Sequence, residues 1–222
     1  MLCLYFFVSD FMVVKICGLT NEEDVLLCDR EGADMLGFVF VMQSPRYVEK
    51  NSNVFKLKTR AKKVAVLSNP EMKNLEFFAE HFEFVQLHGM EEGKIINEFK
   101  KLGLKVIKTI FPEVEDSVKL CSQVSDDVDL FLVDSSSKLK GAKSSLFSLE
   151  KLKTILDSEG KIFGLNYILS GGLNPENVVE FLKILKPYGV DVASGVEDYP
   201  GRKSPEKVRK FIVRVKNFSY HA

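Results

Sequence analysis

Eight short runs of β-branched, aliphatic and aromatic residues recur along this chain of 222 residues, and the stretches between them space their apolar residues as helices do. The runs read as strands at Val13–Cys17, Met35–Phe40, Lys63–Leu67, Phe84–His88, Leu104–Ile110, Val128–Asp134, Tyr167–Ser170 and Val190–Ser194. Between them, Met72, Leu75, Phe78, Ala79 and Phe82 share one helical face, as do Ile95, Ile96, Phe99 and Leu102. Strands that alternate singly with helices pair in parallel through right-handed crossovers, and eight such units in a chain of this length favour closure. The expected fold is α/β, a single (β/α)8 TIM barrel. An open doubly wound sheet is the alternative, and against it the first strand is not followed by Gly-x-Gly-x-x-Gly.

Residues 13–222 are read as one barrel domain, a size that buries one sizeable core, and residues 1–12 as an extension. Helix starts are expected at Thr20 with Glu23 as a capping box, and at Asn69-Pro70, Asn174-Pro175 and Ser204-Pro205, where a capping side chain precedes proline. A second helix is expected within residues 51–62. The last helix should bury Val208, Phe211, Ile212 and Val215 beside the first.

The 31 basic and 31 acidic residues are scattered, so no basic block offers a footprint for nucleic acid. Four cysteines (Cys3, Cys17, Cys28 and Cys121) show no Cys-x-x-Cys spacing and no disulfide-framework density, which fits a reducing cytoplasm. With His81, His88 and His221 they complete no zinc ligand set, so no metal is expected. The apolar run Leu2–Val8 is too short to span a membrane and lacks both a preceding basic residue and a cleavage site, so a signal peptide is rejected. Met12 directly precedes the first strand. Either translation starts there, or the extension covers a barrel end or a partner surface. Monomer and homodimer are both compatible with the pattern.

Catalytic groups of such barrels sit where strands end and loops begin. Cys17, His88 and Asp134 end strands one, four and six, and Arg46 lies in the loop leaving strand two. Each also has a structural reading: a buried thiol, a loop-bonding histidine, a surface ion pair, and a turn cap followed by serines. The glycines of Ser170-Gly171-Gly172 and Ala193-Ser194-Gly195-Val196-Glu197 follow the last two strands, the usual phosphate site of these barrels. They point to a phosphorylated small molecule; tight turns are the structural alternative.

Lys15-Ile16-Cys17-Gly18-Leu19-Thr20, Gly37-Phe38-Val39-Phe40, Ser44-Pro45-Arg46-Tyr47-Val48 and Val85-Gln86-Leu87-His88-Gly89 resemble the signatures of the phosphoribosylanthranilate isomerases. So do Leu169-Ser170-Gly171-Gly172-Leu173-Asn174-Pro175-Glu176-Asn177-Val178, Val190-Asp191-Val192-Ala193-Ser194-Gly195-Val196-Glu197 and the following Pro200-Gly201. The resemblance runs in order from about Val13 to the last helix. It implies an Amadori rearrangement of N-(5-phosphoribosyl)anthranilate, a phosphorylated aminosugar of tryptophan biosynthesis, without metal or organic cofactor.

Carried onto matching positions, Cys17 is the general base and Asp134 the general acid. Arg46 holds the anthranilate carboxylate through its planar fork. Gly171, Gly172, Ser194 and Gly195 take the phosphate, and His88 lines the site without an assigned step. A thiol of ordinary pKa, about 8.5, is mostly protonated at neutral pH, so the site must favour its charged form. Lys15 is expected to point to the opposite side of the strand and is given no contact with Cys17. Asp134 must stay protonated, which burial, or negative charge such as the substrate's own, favours.

After strand six the family shows a Gly-Gly-Thr-Gly-like loop, of which only Gly141 survives within residues 134–148. Lys138, Lys140 or Lys143 and the neighbouring serines could bind phosphate instead; a solvated loop is the alternative. The rival functions are another phosphosugar isomerase or epimerase barrel, and a non-catalytic phosphate-binding barrel.

Overall fold

Eight parallel strands close into a barrel in a computed structural model that describes residues 12–135, 153–154 and 167–219. They are β1 (Val13–Cys17), β2 (Met35–Val39), β3 (Lys62–Leu67), β4 (Phe84–Leu87), β5 (Lys105–Ile110), β6 (Leu130–Asp134), β7 (Tyr167–Ser170) and β8 (Gly189–Val192). Closure is direct: β8 pairs with β1 in the register Val14 to Val190 and Lys15 to Asp191. All eight expected strands are present with end shifts of one or two residues, and the open-sheet alternative falls. A short antiparallel hairpin, β9 (Glu197–Tyr199) and β10 (Arg202–Lys203), follows β8 and was not expected.

The described helices are α1 (Glu22–Glu31), α2 (Glu76–His81), α3 (Gly93–Lys101), α4 (Glu115–Gln123), α5 (Val178–Leu185) and α6 (Pro205–Lys216). The last buries Val208, Phe211, Ile212 and Val215 as expected, and Ser204-Pro205 starts it. The first helix is capped one residue later than the Thr20–Glu23 pattern suggests. Asn21 accepts from the Asp24 N–H at 2.9 Å and donates to the Asp24 carboxylate at 2.8 Å, while the Thr20 hydroxyl donates to the Gly201 carbonyl at 2.6 Å. Asn69 does not cap α2. It sits at φ 45° and accepts from the Met90 N–H, which ties it to the loop after β4, so the helix starts only at Glu76. Asn174 caps a turn, accepting from the Glu176 and Asn177 N–H groups, and α5 begins at Val178.

No helix forms between β2 and β3, contrary to expectation. Residues 51–53 are Asn-Ser-Asn, whose side chains bond the local backbone and favour turns. Ser52 accepts from the Val54 N–H, and the Asn53 carbonyl accepts from Lys56. The segment is instead plugged in by Phe55, fully buried and in ring contact with Phe38, Phe40 and Phe82 at 5.3–6.2 Å between centroids.

Strand alternation fills the barrel in layers. Met35, Val64, Phe84, Ile107, Leu132 and Ile168 form an apolar layer, and Cys17, Val39 and Val66 a second apolar group at the level of the β1 end. Polar Lys15, Gln86, Thr109 and Asp191 are buried as well. Gly141, Lys143 and the rest of the loop after β6, like residues 1–11, lie outside the described residues.

Candidate active site

Residues two apart on a strand share a face, so Lys15 and Cys17 lie on the same side of β1. The expectation that Lys15 points away was wrong by one step of the alternation. Its ammonium is fully buried, 2.8 Å from Asp191 Oδ1 on the neighbouring β8, and Ser170 on β7 donates to Asp191 Oδ2 at 3.1 Å. Gly37 on β2 makes room for this group. A Cβ there would stand 2.7 Å from Cys17 Sγ and 3.0 Å from Lys15 Nζ.

The electrostatics follow from this packing. Burial pushes the Cys17 thiol above its ordinary pKa, while the Lys15 ammonium beside it, and Lys203 further off, pull the other way. Burial disfavours the Lys15 charge too, yet Asp191 and Cys17 hold its pKa above the usual lysine value. The pair therefore keeps a permanent cation next to the thiol. At Cys28 and Cys121 burial outweighs the lowering by Lys203 and by Lys108, and the thiols are driven to about 12 and about 11.

Behind the thiol, Lys203 of β10 donates to the carbonyls of Cys17 at 2.7 Å and Ala193 at 3.1 Å, and to Glu197 Oε1 at 2.8 Å. Glu197 in turn takes a two-point grip from Arg46, Nε to Oε1 at 2.8 Å and Nη2 to Oε2 at 2.5 Å. Burial opposes the Glu197 charge, but the bonds from Arg46 and Lys203 prevail and lower its pKa. The hairpin thus clasps the ends of β1 and β8 and fixes Arg46 over Gly18, where a Cβ would overlap Arg46 Cδ. Arg46 is at the mouth as expected, with one edge of its fork already given to Glu197.

Asp134 ends β6 and is buried, with its Oδ2 3.7 Å from His88 Nε2. His88 therefore lies beside Asp134 rather than standing apart. Gly171 and Gly172 adopt φ 102° and 68°, and their carbonyls are taken by Ser135 Oγ at 3.4 Å and Asn177 Nδ2 at 3.0 Å. Gly195, in a 3-10 turn over Ser194–Val196, packs so tightly that a Cβ would overlap the Leu173 carbonyl oxygen. The two glycine loops thus touch each other at the same barrel face. An open groove of about 620 Å³ is lined by Phe40, Tyr47, Lys50, Leu67, Pro70 and Phe78 among others, on the side of β2 and β3; Cys17, Arg46, His88 and Asp134 do not line it.

Sequence reasoning missed Lys15, Asp191, Glu197, Lys203, Gln86 and Thr109. A signal existed for the first two: each is a lone charge inside an otherwise apolar strand, and the first and last strands of a closed barrel are neighbours.

Fold and mouth together define the class, a (β/α)8 barrel with a buried thiol, a carboxyl group and an arginine at the carboxyl-terminal face. A sequence profile of the N-(5'-phosphoribosyl)anthranilate (PRA) isomerases matches residues 14–214. The chain is 39% identical over 209 residues to the N-(5'-phosphoribosyl)anthranilate isomerase of Aquifex aeolicus, covering 92% of this chain and 98% of that one. It superposes on the phosphoribosylanthranilate isomerase of Thermotoga maritima with a TM-score of 0.80 at 30% identity, over 93% of this chain and all of the other. A phosphoribosylanthranilate isomerase in complex with reduced 1-(o-carboxyphenylamino)-1-deoxyribulose 5-phosphate gives a TM-score of 0.77, also at 30% identity and the same coverage. The chain belongs to the phosphoribosylanthranilate isomerase family.

Proposed function

We propose that this barrel converts N-(5-phosphoribosyl)anthranilate to 1-(2-carboxyphenylamino)-1-deoxy-D-ribulose 5-phosphate, with Cys17 as general base and Asp134 as general acid. The observation that carries the reading is a thiol with a buried ammonium beside it, on β1, sharing the carboxyl-terminal mouth with a carboxyl group on β6. Asp134 gives its proton to the ribose ring oxygen as the ring C–O bond breaks, and the nitrogen lone pair forms an iminium. The iminium acidifies the neighbouring carbon, whose proton Cys17 removes to give an enolamine. Tautomerisation to the ketone adds a proton at carbon and releases one from oxygen, which resets both groups.

Loss of phosphoribosylanthranilate fluorescence on adding the purified protein, with and without chelator, tests this. Turnover indifferent to chelator is expected. No turnover would favour a non-catalytic phosphate-binding barrel, and turnover of a pentulose phosphate that needs metal would assign the barrel to the epimerases. Complementation of a tryptophan auxotroph lacking this isomerase is the corresponding test in cells.

Lys15 supports the thiolate, so Lys15→Met should push the Cys17 thiol further up. A base with a raised pKa is active only above it, and each unit costs about tenfold in thiolate at neutral pH. The rise of kcat/KM with pH should therefore move to higher pH, with at least about a tenfold loss near neutrality. An unshifted profile would remove Lys15 from the reaction. The variant also strands Asp191, an uncompensated buried charge that costs about 3–5 kcal/mol, so its melting must be followed in parallel.

Arg46 presents its Nη1–Nη2 edge to the anthranilate carboxylate, because Glu197 holds the other. Arg46→Lys loses both planar pairings, and KM should rise about tenfold or more with a smaller effect on kcat. An unchanged KM would place the carboxylate elsewhere. The phosphate lies against Gly171, Gly172, Ser194 and Gly195, with Gly141 carried over from the family's loop and Lys143 offering charge in place of the glycines that loop lacks. One barrel domain beginning at Val13 carries the whole site, so a monomer or a homodimer serves equally. Three buried free cysteines favour a reducing cytoplasm, and among the described residues no helix is long and apolar enough to cross a membrane.

A further inference from the structure

We propose that His88 is a positioning residue for the acid: Gln86 and Thr109 lock its imidazole so that Nε2–H faces Asp134 and stabilises the carboxylate left when Asp134 gives up its proton. The inference rests on Asp134 being the acid.

Thr109 Oγ1 lies 3.1 Å from His88 Nδ1, and Gln86 Nε2 lies 3.4 Å from Nδ1 and 3.3 Å from Thr109 Oγ1. An amide nitrogen can only donate. With the amide so oriented, Gln86 donates to the Thr109 oxygen and toward Nδ1, and the Thr109 hydroxyl can donate to Nδ1. With Nδ1 an acceptor, the neutral ring carries its proton on Nε2, the atom 3.7 Å from Asp134 Oδ2. In this orientation of the amide, Gln86 Oε1 is a buried acceptor without a partner among the described residues. The Phe111 ring stands edge-on to His88 at 5.2 Å and 87° and restrains the imidazole plane.

The charged groups facing His88 are Asp134 on β6, Asp191 on β8, Lys15 on β1 and Glu91 after β4. Burial outweighs the carboxylates and lowers the His88 pKa, so the ring is neutral at physiological pH. This matters for the chemistry. A cationic imidazole would hold Asp134 ionised before substrate arrives, whereas a neutral N–H helps only as negative charge develops. The donor is thus aimed at the conjugate base, the arrangement that lowers a barrier rather than a ground state.

His88→Leu, His88→Gln and Thr109→Val are made in the unaltered protein and in the Asp134→Asn protein, with kcat, KM and melting measured. His88→Leu should lower kcat about 10²-fold at unchanged KM, and His88→Gln, which restores an N–H near Nε2, should recover most of it. Thr109 is fully buried and touches no substrate, so a fall in kcat without a change in KM in Thr109→Val reports on the imidazole alone. In the Asp134→Asn background neither change should slow the residual rate further. Nitrogen-15 NMR of the unaltered protein should show the Nε2–H form of His88. A raised KM with intact kcat, equal losses in both backgrounds, or the Nδ1–H form would each overturn the proposal. Full turnover by Asp134→Asn alone would instead remove the acid assignment on which it rests.

Discussion

Asp134→Asn should lower kcat by about 10³-fold while leaving KM within a few-fold, because a positioned general acid contributes roughly 10²–10⁴ to such a step. Asparagine keeps the shape of the side chain, so the end of β6 should hold its place in the barrel. What it lacks is a proton to give. The ring oxygen would have to leave as an alkoxide or draw a proton from water, and ring opening would become the slow step. Steady-state kinetics with fluorescence detection read this directly. A kcat within tenfold of the unaltered protein would show that another group protonates the ring oxygen.

The barrel was legible because its evidence is repeated: eight β-rich runs, each bounded by turn residues, survive errors of a residue or two at any one end. Helix starts were less legible. Asn69 and Asn174 both precede proline, yet the Asn69 side chain is taken by the loop after β4, while Asn174 caps a turn at Glu176 and Asn177 and the helix begins only at Val178. The segment 51–62 carries enough apolar residues to look helical, yet Asn51, Ser52 and Asn53 break it and Phe55 anchors it as a plug.

Cys17, His88, Asp134 and Arg46 could be found as strand-end or loop polar residues, and the structure gathers all four at one mouth. Their partners could not be found that way, since Lys203 and Glu197 come from a hairpin that carries little strand pattern of its own. Lys15 was within reach and was missed through parity: counting two residues along β1 places it on the face of Cys17, where its charge matters most. The long connection after β6 lies outside the described residues, so the phosphate role of Lys143 rests on its charge in a loop that departs from the family's glycines.

The central claim is that the Cys17 thiolate takes the proton from the sugar carbon. Burial raises the thiol, so the fraction of active base at neutral pH depends on Lys15, and serine or alanine at position 17 offers no group that can replace it. The deciding measurement is turnover of N-(5-phosphoribosyl)anthranilate by Cys17→Ala, made alongside binding of reduced 1-(o-carboxyphenylamino)-1-deoxyribulose 5-phosphate. The expected result is a loss of about 10³-fold or more in kcat with binding of the reduced compound retained. Turnover within tenfold of the unaltered protein, with the same binding, would show that the proton leaves to some other base and would contradict the mechanism at its root.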